Sequence, residues 1–256
     1  MSIGIETNLD DTPDQMPADL AEAAGLAPEQ AVETEVGALL CALETFGSGD
    51  VVWHQLAGEP MPWWSLRALA ATPGMRNIVL IVSPERVESA MRLCDRASLP
   101  VPVCTLVARS APEVVLRDAL DLLAPACDPV ILHDAHRPLA TPALFARSLM
   151  AAREYGIAVA AVPVKDTMKR VRDGVIVETI PRDELATLQT PQAFVRAALL
   201  AACSQATVGS DLAGLAFRLA GTGAHVGTFP GSHENVCVTS MDELAIAEQL
   251  LIQRTG

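Results

Sequence analysis

From Val36 onward, short and wholly apolar runs alternate with longer stretches whose apolar residues recur at helical spacing. Gly37–Leu43 reads as a buried strand, Pro62–Ala71 as a helix, and Asn77–Ser83 as a second strand bounded by Gly74 and Pro84. Pro84–Ala97 carries Val87, Met91 and Leu93 on a helical repeat and leads to a strand at Val101–Val107. Glu113–Leu123 reads as a helix and Pro129–His133 as a strand rich in β-branched residues. Thr141 offers an N-cap oxygen to the next helix, with Pro142 at its first position. Ala158–Val164 is another strand. The remaining pattern predicts a helix at Pro191–Ser204, strands at His225–Thr228 and Asn235–Val238, and a closing helix at Met241–Arg254. This alternation with short connections predicts an α/β fold, a mostly parallel doubly wound sheet with helices on both faces. Ligands of such sheets bind beyond the carboxyl ends of the strands.

Residues 167–181 break the alternation. Two extended runs, one ending at Arg172 and the other starting at Val175, flank Asp173-Gly174, a strong hairpin signal. A hairpin projecting from an α/β core has unpaired edges, which commonly pair with another chain.

With half of its 256 residues apolar, the chain can bury one core without division. No apolar run approaches the ~20 residues that span a bilayer. The start, MSIGIETNLDD, has neither a basic n-region nor an apolar h-region, so no secretory signal is expected. Six cysteines without a C-x-x-C pair argue against a structural zinc site or a disulfide scaffold and fit a reducing cytoplasm. Charge changes the picture at one end. Residues 1–36 hold nine acids and no Lys or Arg. Residues 1–34 therefore read as an acidic, unfolded extension with at most one short helix at Pro17–Ala24, and 35–256 as the folded domain. A solvated tail and a partner-binding segment are both open. The acidic balance, with Lys165 and Lys169 the only lysines, argues against nucleic-acid binding.

Three motifs then follow in fixed order: PVILHDAHRP (Pro129–Pro138), VPVKDTMKRV (Val162–Val171) and PRDELATLQTPQAF (Pro181–Phe194). In order and spacing they resemble the 2-C-methyl-D-erythritol 4-phosphate cytidylyltransferase family, with HDAARP, PVTDTIKRV and R-x-x-L…QTPQAF. The resemblance covers about residues 36–254 and implies a Rossmann-like nucleotidyltransferase fold. It makes the 167–181 hairpin a dimerisation arm, so a homodimer is expected.

The resemblance also assigns a site. Asp134 falls where a metal- or phosphate-proximal carboxylate sits, and Arg137 follows it as in D-x-x-R-P. Asp166, Thr167 and Lys169 match D-T-x-K, and Arg182, Thr190 and Gln192 match residues around the phosphopolyol. Arg182 suits bidentate phosphate binding, with a hairpin-base ion pair to Asp183 or Glu184 as its structural alternative. Arg137 can equally be a structural ion pair or cap. His133 is expected to pack at a strand end. His136 replaces a small Ala, and entry into the pocket is one of its two readings.

The nucleotide half departs from the family. The LAGEP segment (Leu56–Pro60) matches L-x-G-x-P, but residues 36–66 contain no Lys or Arg. The loop before it reads LETFGSGD, so at most Gly47, Gly49 and Gly58 remain of the glycine-rich cradle. Glu44 or Ser48 stands at the family's Arg position and Val51 at its Lys position. Pro112 and Val115 fall where an Arg and a Ser meet the base, and Cys237 replaces the Lys of N-x-K-x-T. The family's T-D-D is represented by Gly209-Ser210-Asp211. Losing one positioned charge donor costs about 3–4 kcal/mol of transition-state stabilisation. The expected function is therefore a catalytically impaired or noncatalytic member, a pseudoenzyme binding a phosphorylated small molecule. The alternative is an active enzyme that uses CTP and Mg²⁺, with cations supplied by Arg109 or a partner subunit.

Overall fold

A computed structural model describes residues 35–44, 51–205 and 225–255. The acidic extension at 1–34, Gly47, Ser48 and Gly49, and Gly209-Ser210-Asp211 lie outside the described residues.

In chain order the strands are β1 (Val36–Ala42), β2 (Gln55–Leu56), β3 (Glu59–Pro60), β4 (Met75–Val82), β5 (Val103–Val107), β6 (Val130–Asp134) and β7 (Ile157–Pro163). They continue with β8 (Met168–Arg172), β9 (Val175–Ile180), β10 (Ala186–Phe194) and β11 (Gly227–Pro230). The helices are α1 (Met61–Ala70), α2 (Val87–Ala97), α3 (Pro112–Leu122), α4 (Pro142–Tyr155), α5 (Arg196–Gln205) and α6 (Met241–Thr255). Seven strands form one sheet in the order β11-β7-β10-β6-β1-β4-β5. All neighbours pair in parallel except β10, which runs antiparallel between β6 and β7.

The apolar run of β1 is explained by burial on both faces, as central parallel strands require. Ala38, Leu40 and Ala42 face a core built with α1, α2, α4 and α6, including Leu66, Leu69, Phe145 and Leu244. Leu39 and Cys41 face the opposite core, closed by α3 and α5 through Leu116, Leu120 and Leu199. A Cβ on Gly37 would stand 2.7 Å from Leu123 Cδ1 and 3.1 Å from Cys127 Cβ, so any larger residue here would push the Leu123 side chain aside. Thr141 caps α4 as expected, its Oγ1 accepting from the Leu144 N–H at 3.2 Å. The β8–β9 turn puts Asp173 and Gly174 at φ 49° and 77°, which the Asp-Gly pair tolerates.

Three expectations need correction. Pro191–Ser204 is not one helix: β10 continues to Phe194 and the helix starts at Arg196. Thr-Pro resembles a helix start, and proline is unusual in a central strand. A register shift between Gln189 and Gln192 accommodates it here. Asn235–Val238 forms no strand, because its backbone and side chains bond to the β6–α4 turn and to β10 instead. Met91 is exposed, and Ala90 and Leu93 carry the buried face of α2.

Candidate functional site beside Asp134

Asp134 closes β6, at the edge where the parallel strands deliver their carboxyl ends. Its N–H donates to Thr190 Oγ1 at 3.1 Å, which ties this end of β6 to β10. The chain then turns sharply: the Ala135 N–H donates to Cys41 O of β1, and the Arg137 N–H to Asp134 O, each at 2.9 Å. That turn buries His136 completely and aims two donors at Asp134 Oδ1, the backbone N–H at 3.0 Å and ring Nδ1 at 2.9 Å. Burial pushes the Asp134 carboxyl up, but the His136 contacts outweigh it and hold the group below the usual 3.8. An ionised carboxylate only accepts, so the His136 ring proton sits on Nδ1.

His133 packs as expected. It lies edge-on to Phe145, with centroids 4.9 Å apart, and its Nε2 donates to Arg137 O at 3.1 Å. Burial lowers it to about 4, so the ring is neutral at pH 7.

Across from this turn, residues 232–238 are fastened by amides. Asn235 Nδ2 donates to Gln189 Oε1 at 3.2 Å and to Thr190 O at 2.8 Å. Gln189 Nε2 donates to Ser232 O at 2.9 Å, and Arg137 Nη1 to Asn235 O at 2.7 Å. The Val238 N–H then donates to His136 O at 2.7 Å. At the start of α6 the Glu243 N–H donates to Ser240 Oγ at 3.3 Å and the Thr239 N–H donates to Glu243 Oε2 at 2.7 Å, which fixes where the segment ends. Cys237 is held between these anchors. Burial pushes its thiol up to about 11; Arg137 opposes the shift, while Asp134 and Glu243 add to it.

The structure thus brings Asp134, Arg137 and Thr190 together. Gln192 is fully buried within β10, inside the sheet rather than at its edge. Asp166, Thr167, Lys169 and Arg182 lie exposed at and beyond the base of the β8–β9 arm. Lys169 Nζ donates to Thr179 Oγ1 at 2.6 Å, and Arg182 Nη1 to Lys165 O at 2.7 Å. Arg182 makes no ion pair with Asp183 or Glu184 among the described residues. Gly58 stands at φ +85° in the exposed turn between β2 and β3, a backbone role that explains its presence. Gln189 and Asn235, which build the corner, were not singled out from the sequence. Their signal was present, since each opens a recognisable motif, QTPQAF and N-x-x-x-T.

Comparison with known proteins agrees with this frame. The family profile for 2-C-methyl-D-erythritol 4-phosphate cytidylyltransferase matches residues 48–253. The curated enzyme of that name from Bacillus cereus is 34% identical over 210 residues, covering 80% of this chain and 91% of the relative. The chain belongs to this cytidylyltransferase family. The counterpart from Gloeobacter violaceus is 36% identical over 209 residues, covering 79% of this chain and 88% of its own. Among solved structures, the 4-diphosphocytidyl-2C-methyl-D-erythritol synthase of Anaerococcus prevotii superposes with a TM-score of 0.72 at 21% identity, covering 86% of this chain and 99% of its own. The Thermus thermophilus cytidylyltransferase gives 0.64 at 24%, covering 83% and 97%. Both show the same Rossmann-like nucleotidyltransferase fold.

Against the family pattern, the corner has changed character. A protonated thiol with Glu243 and Asp134 nearby stands where the resemblance calls for an ammonium group. Pro112 forms the first turn of α3 and Val115 is buried in the core, so neither offers a polar side chain to a base. Val51 is buried and Glu44 carries a carboxylate, the wrong sign for a triphosphate. Among the described residues no helix is long and apolar enough to cross a membrane.

Proposed function

We propose that this protein is a cytidylyltransferase-family member that binds a phosphorylated polyol and transfers CMP weakly or not at all. One observation carries the reading: Cys237, half-buried and protonated near Asp134, stands at the position the resemblance gives to a phosphate-binding lysine. Fixed positive charge is what stabilises a phosphoryl transition state, and a neutral thiol supplies none. Lys169 on the arm and Arg182 just beyond its base are the groups that meet the ligand phosphate. The arm also pairs two copies into a homodimer, and the six free cysteines suit a cytoplasmic protein.

The test is pyrophosphate release from CTP with 2-C-methyl-D-erythritol 4-phosphate and Mg²⁺. No release above the blank is expected. The same phosphopolyol should raise the melting temperature, and Arg182→Ala should abolish that rise.

A second reading is favoured by the curated relatives, which carry the enzyme's name at 34–36% identity across about four-fifths of this chain. In it the protein is an active cytidylyltransferase of isoprenoid precursor synthesis. Sustained pyrophosphate release dependent on both substrates would establish it and overturn the first.

A further inference from the structure

His136 stands where the resemblance has a small Ala, and its ring contacts the carboxylate of the site. Asp134 Oδ1 accepts from the His136 backbone N–H at 3.0 Å and from ring Nδ1 at 2.9 Å, so two donors of one residue hold the same oxygen. The ring is itself held in place. It is fully buried, the His136 backbone oxygen accepts from the Val238 N–H at 2.7 Å, and the neighbouring Arg137 Nη1 donates to Asn235 O at 2.7 Å. The other oxygen differs. Oδ2 accepts from none of the described residues, and the side chain keeps 13% of its surface open to solvent. Oδ2 would fit Mg²⁺, which is usually held by one or two carboxylates together with substrate phosphates, and CTP would supply those phosphates. A phosphopolyol bound without CTP brings hydroxyls instead.

An ionised carboxylate only accepts hydrogen bonds, and it repels a phosphate. A phosphopolyol at this site therefore turns its phosphate away from Asp134 and a hydroxyl toward it. We infer that His136 is a positioning residue for ligand recognition: by holding Oδ1 it fixes the Asp134 carboxylate with Oδ2 as the oxygen that accepts from a hydroxyl of the polyol. The ligand class rests on the phosphopolyol reading above. His136 acts through Asp134 and does not touch the ligand. Its effect is on specificity, because a site built to bond a ligand hydroxyl discriminates against the analogue that lacks one.

Isothermal titration calorimetry of the full-length protein in EDTA tests this with two probes, 2-C-methyl-D-erythritol 4-phosphate and n-butyl phosphate, a phosphate ester of four carbons without hydroxyls. His136→Phe keeps the ring and removes the side-chain donor. It should weaken the phosphopolyol about tenfold, the low end for a hydrogen bond to a charged group, and leave butyl phosphate within about twofold. His136→Asn, whose amide nitrogen lies about where Nδ1 does, should restore most of the loss. In an Asp134→Asn background, His136→Phe should add no further loss, because residues acting through one contact are not additive. Circular dichroism melts identify the folded variants, and His136→Ala replaces His136→Phe if the larger ring unfolds the protein. An equal loss for both probes would make His136 merely structural and overturn the inference. So would full phosphopolyol affinity in the folded variant, a loss that persists without the Asp134 carboxylate, or phosphopolyol binding that appears only when Mg²⁺ is added. Those results leave the phosphopolyol reading standing. A wild-type protein that binds no phosphopolyol, with or without Mg²⁺, removes that reading and this inference together.

Discussion

The corner around Asp134 and the β8–β9 arm place their polar groups in opposite ways. In the corner, Asn235, Gln189, Thr190, His136 and Arg137 bond to one another or to backbone, mostly out of water. On the arm every residue but Ile180 is exposed, and Lys169, Arg170 and Arg182 each hold a single short contact across the hairpin or to its base. Groups that satisfy each other in a buried network are costly to redirect to a ligand, because each released atom loses a partner in low dielectric. Exposed cations on a hairpin meet a phosphate at little cost. The family's chemistry needs charge in the corner, and this chain keeps its free charge on the arm.

Acid should break the corner first. His133 sits at about 4 because burial disfavours its charged form, and among the described residues its Nδ1 has no partner to receive a second proton's N–H bond. The unfolded chain takes up that proton near the usual 6.5, so it binds more protons than the folded state between these values. Stability contributed here is complete above 6.5 and falls as pH drops toward 4, by about 3 kcal/mol at most. Asp134, held below 3.8, loses its contribution only at lower pH, so the two windows are separate. Chemical denaturation between pH 7 and 4.5 measures the first window, and His133→Gln should flatten it. An unchanged slope in a folded variant would assign the acid sensitivity elsewhere.

Asn235→Leu comes next in size. It removes two donors from a side chain only 1% exposed, leaving Thr190 O without that bond, while Gln189 Oε1 keeps the Ser232 N–H at 3.3 Å. A buried acceptor left unsatisfied costs about 1–3 kcal/mol, and a loss near 2 kcal/mol is expected in urea unfolding. If the change is neutral, the amide network does not hold the Cys237 segment in place.

Much of the architecture was legible because continuous apolar runs such as Leu39–Ala42 and Ile78–Val82 have few outcomes other than central strands. The Asp173-Gly174 turn was equally plain. What escaped reading depends on partners far along the chain. Pro191 reads as a helix start unless β6 and β7 are known to flank it. The alternating Asn-Val-Cys-Val of 235–238 suggests a strand until Gln189, Thr190 and His136 take its hydrogen bonds. His136 could be noticed as an oddity in HDAHRP, but only the turn's geometry shows that it faces Asp134 from within the core. Replacement of an ammonium by Cys237 was readable; the burial that keeps the thiol protonated, with Asp134 and Glu243 adding to it, was not.

The smallest expected change in folding separates the arm from the corner most clearly. Val171, Val175, Ile176 and Val177 are each more than half exposed, so both faces of the hairpin carry apolar side chains open to solvent among the described residues. An apolar patch on an unpaired hairpin is where a second copy gains most by docking. Ile176→Asp removes no intrachain packing of consequence, so unfolding at monomeric concentrations should move by no more than about 0.5 kcal/mol. The same substitution should shift sedimentation from dimer to monomer, since burying the new carboxylate against apolar side chains of a second copy is unfavourable. A dimer that survives this change would place the interface off the arm. A large loss of monomer stability would mean instead that the arm is part of the core fold, and the contrast between the two regions would collapse.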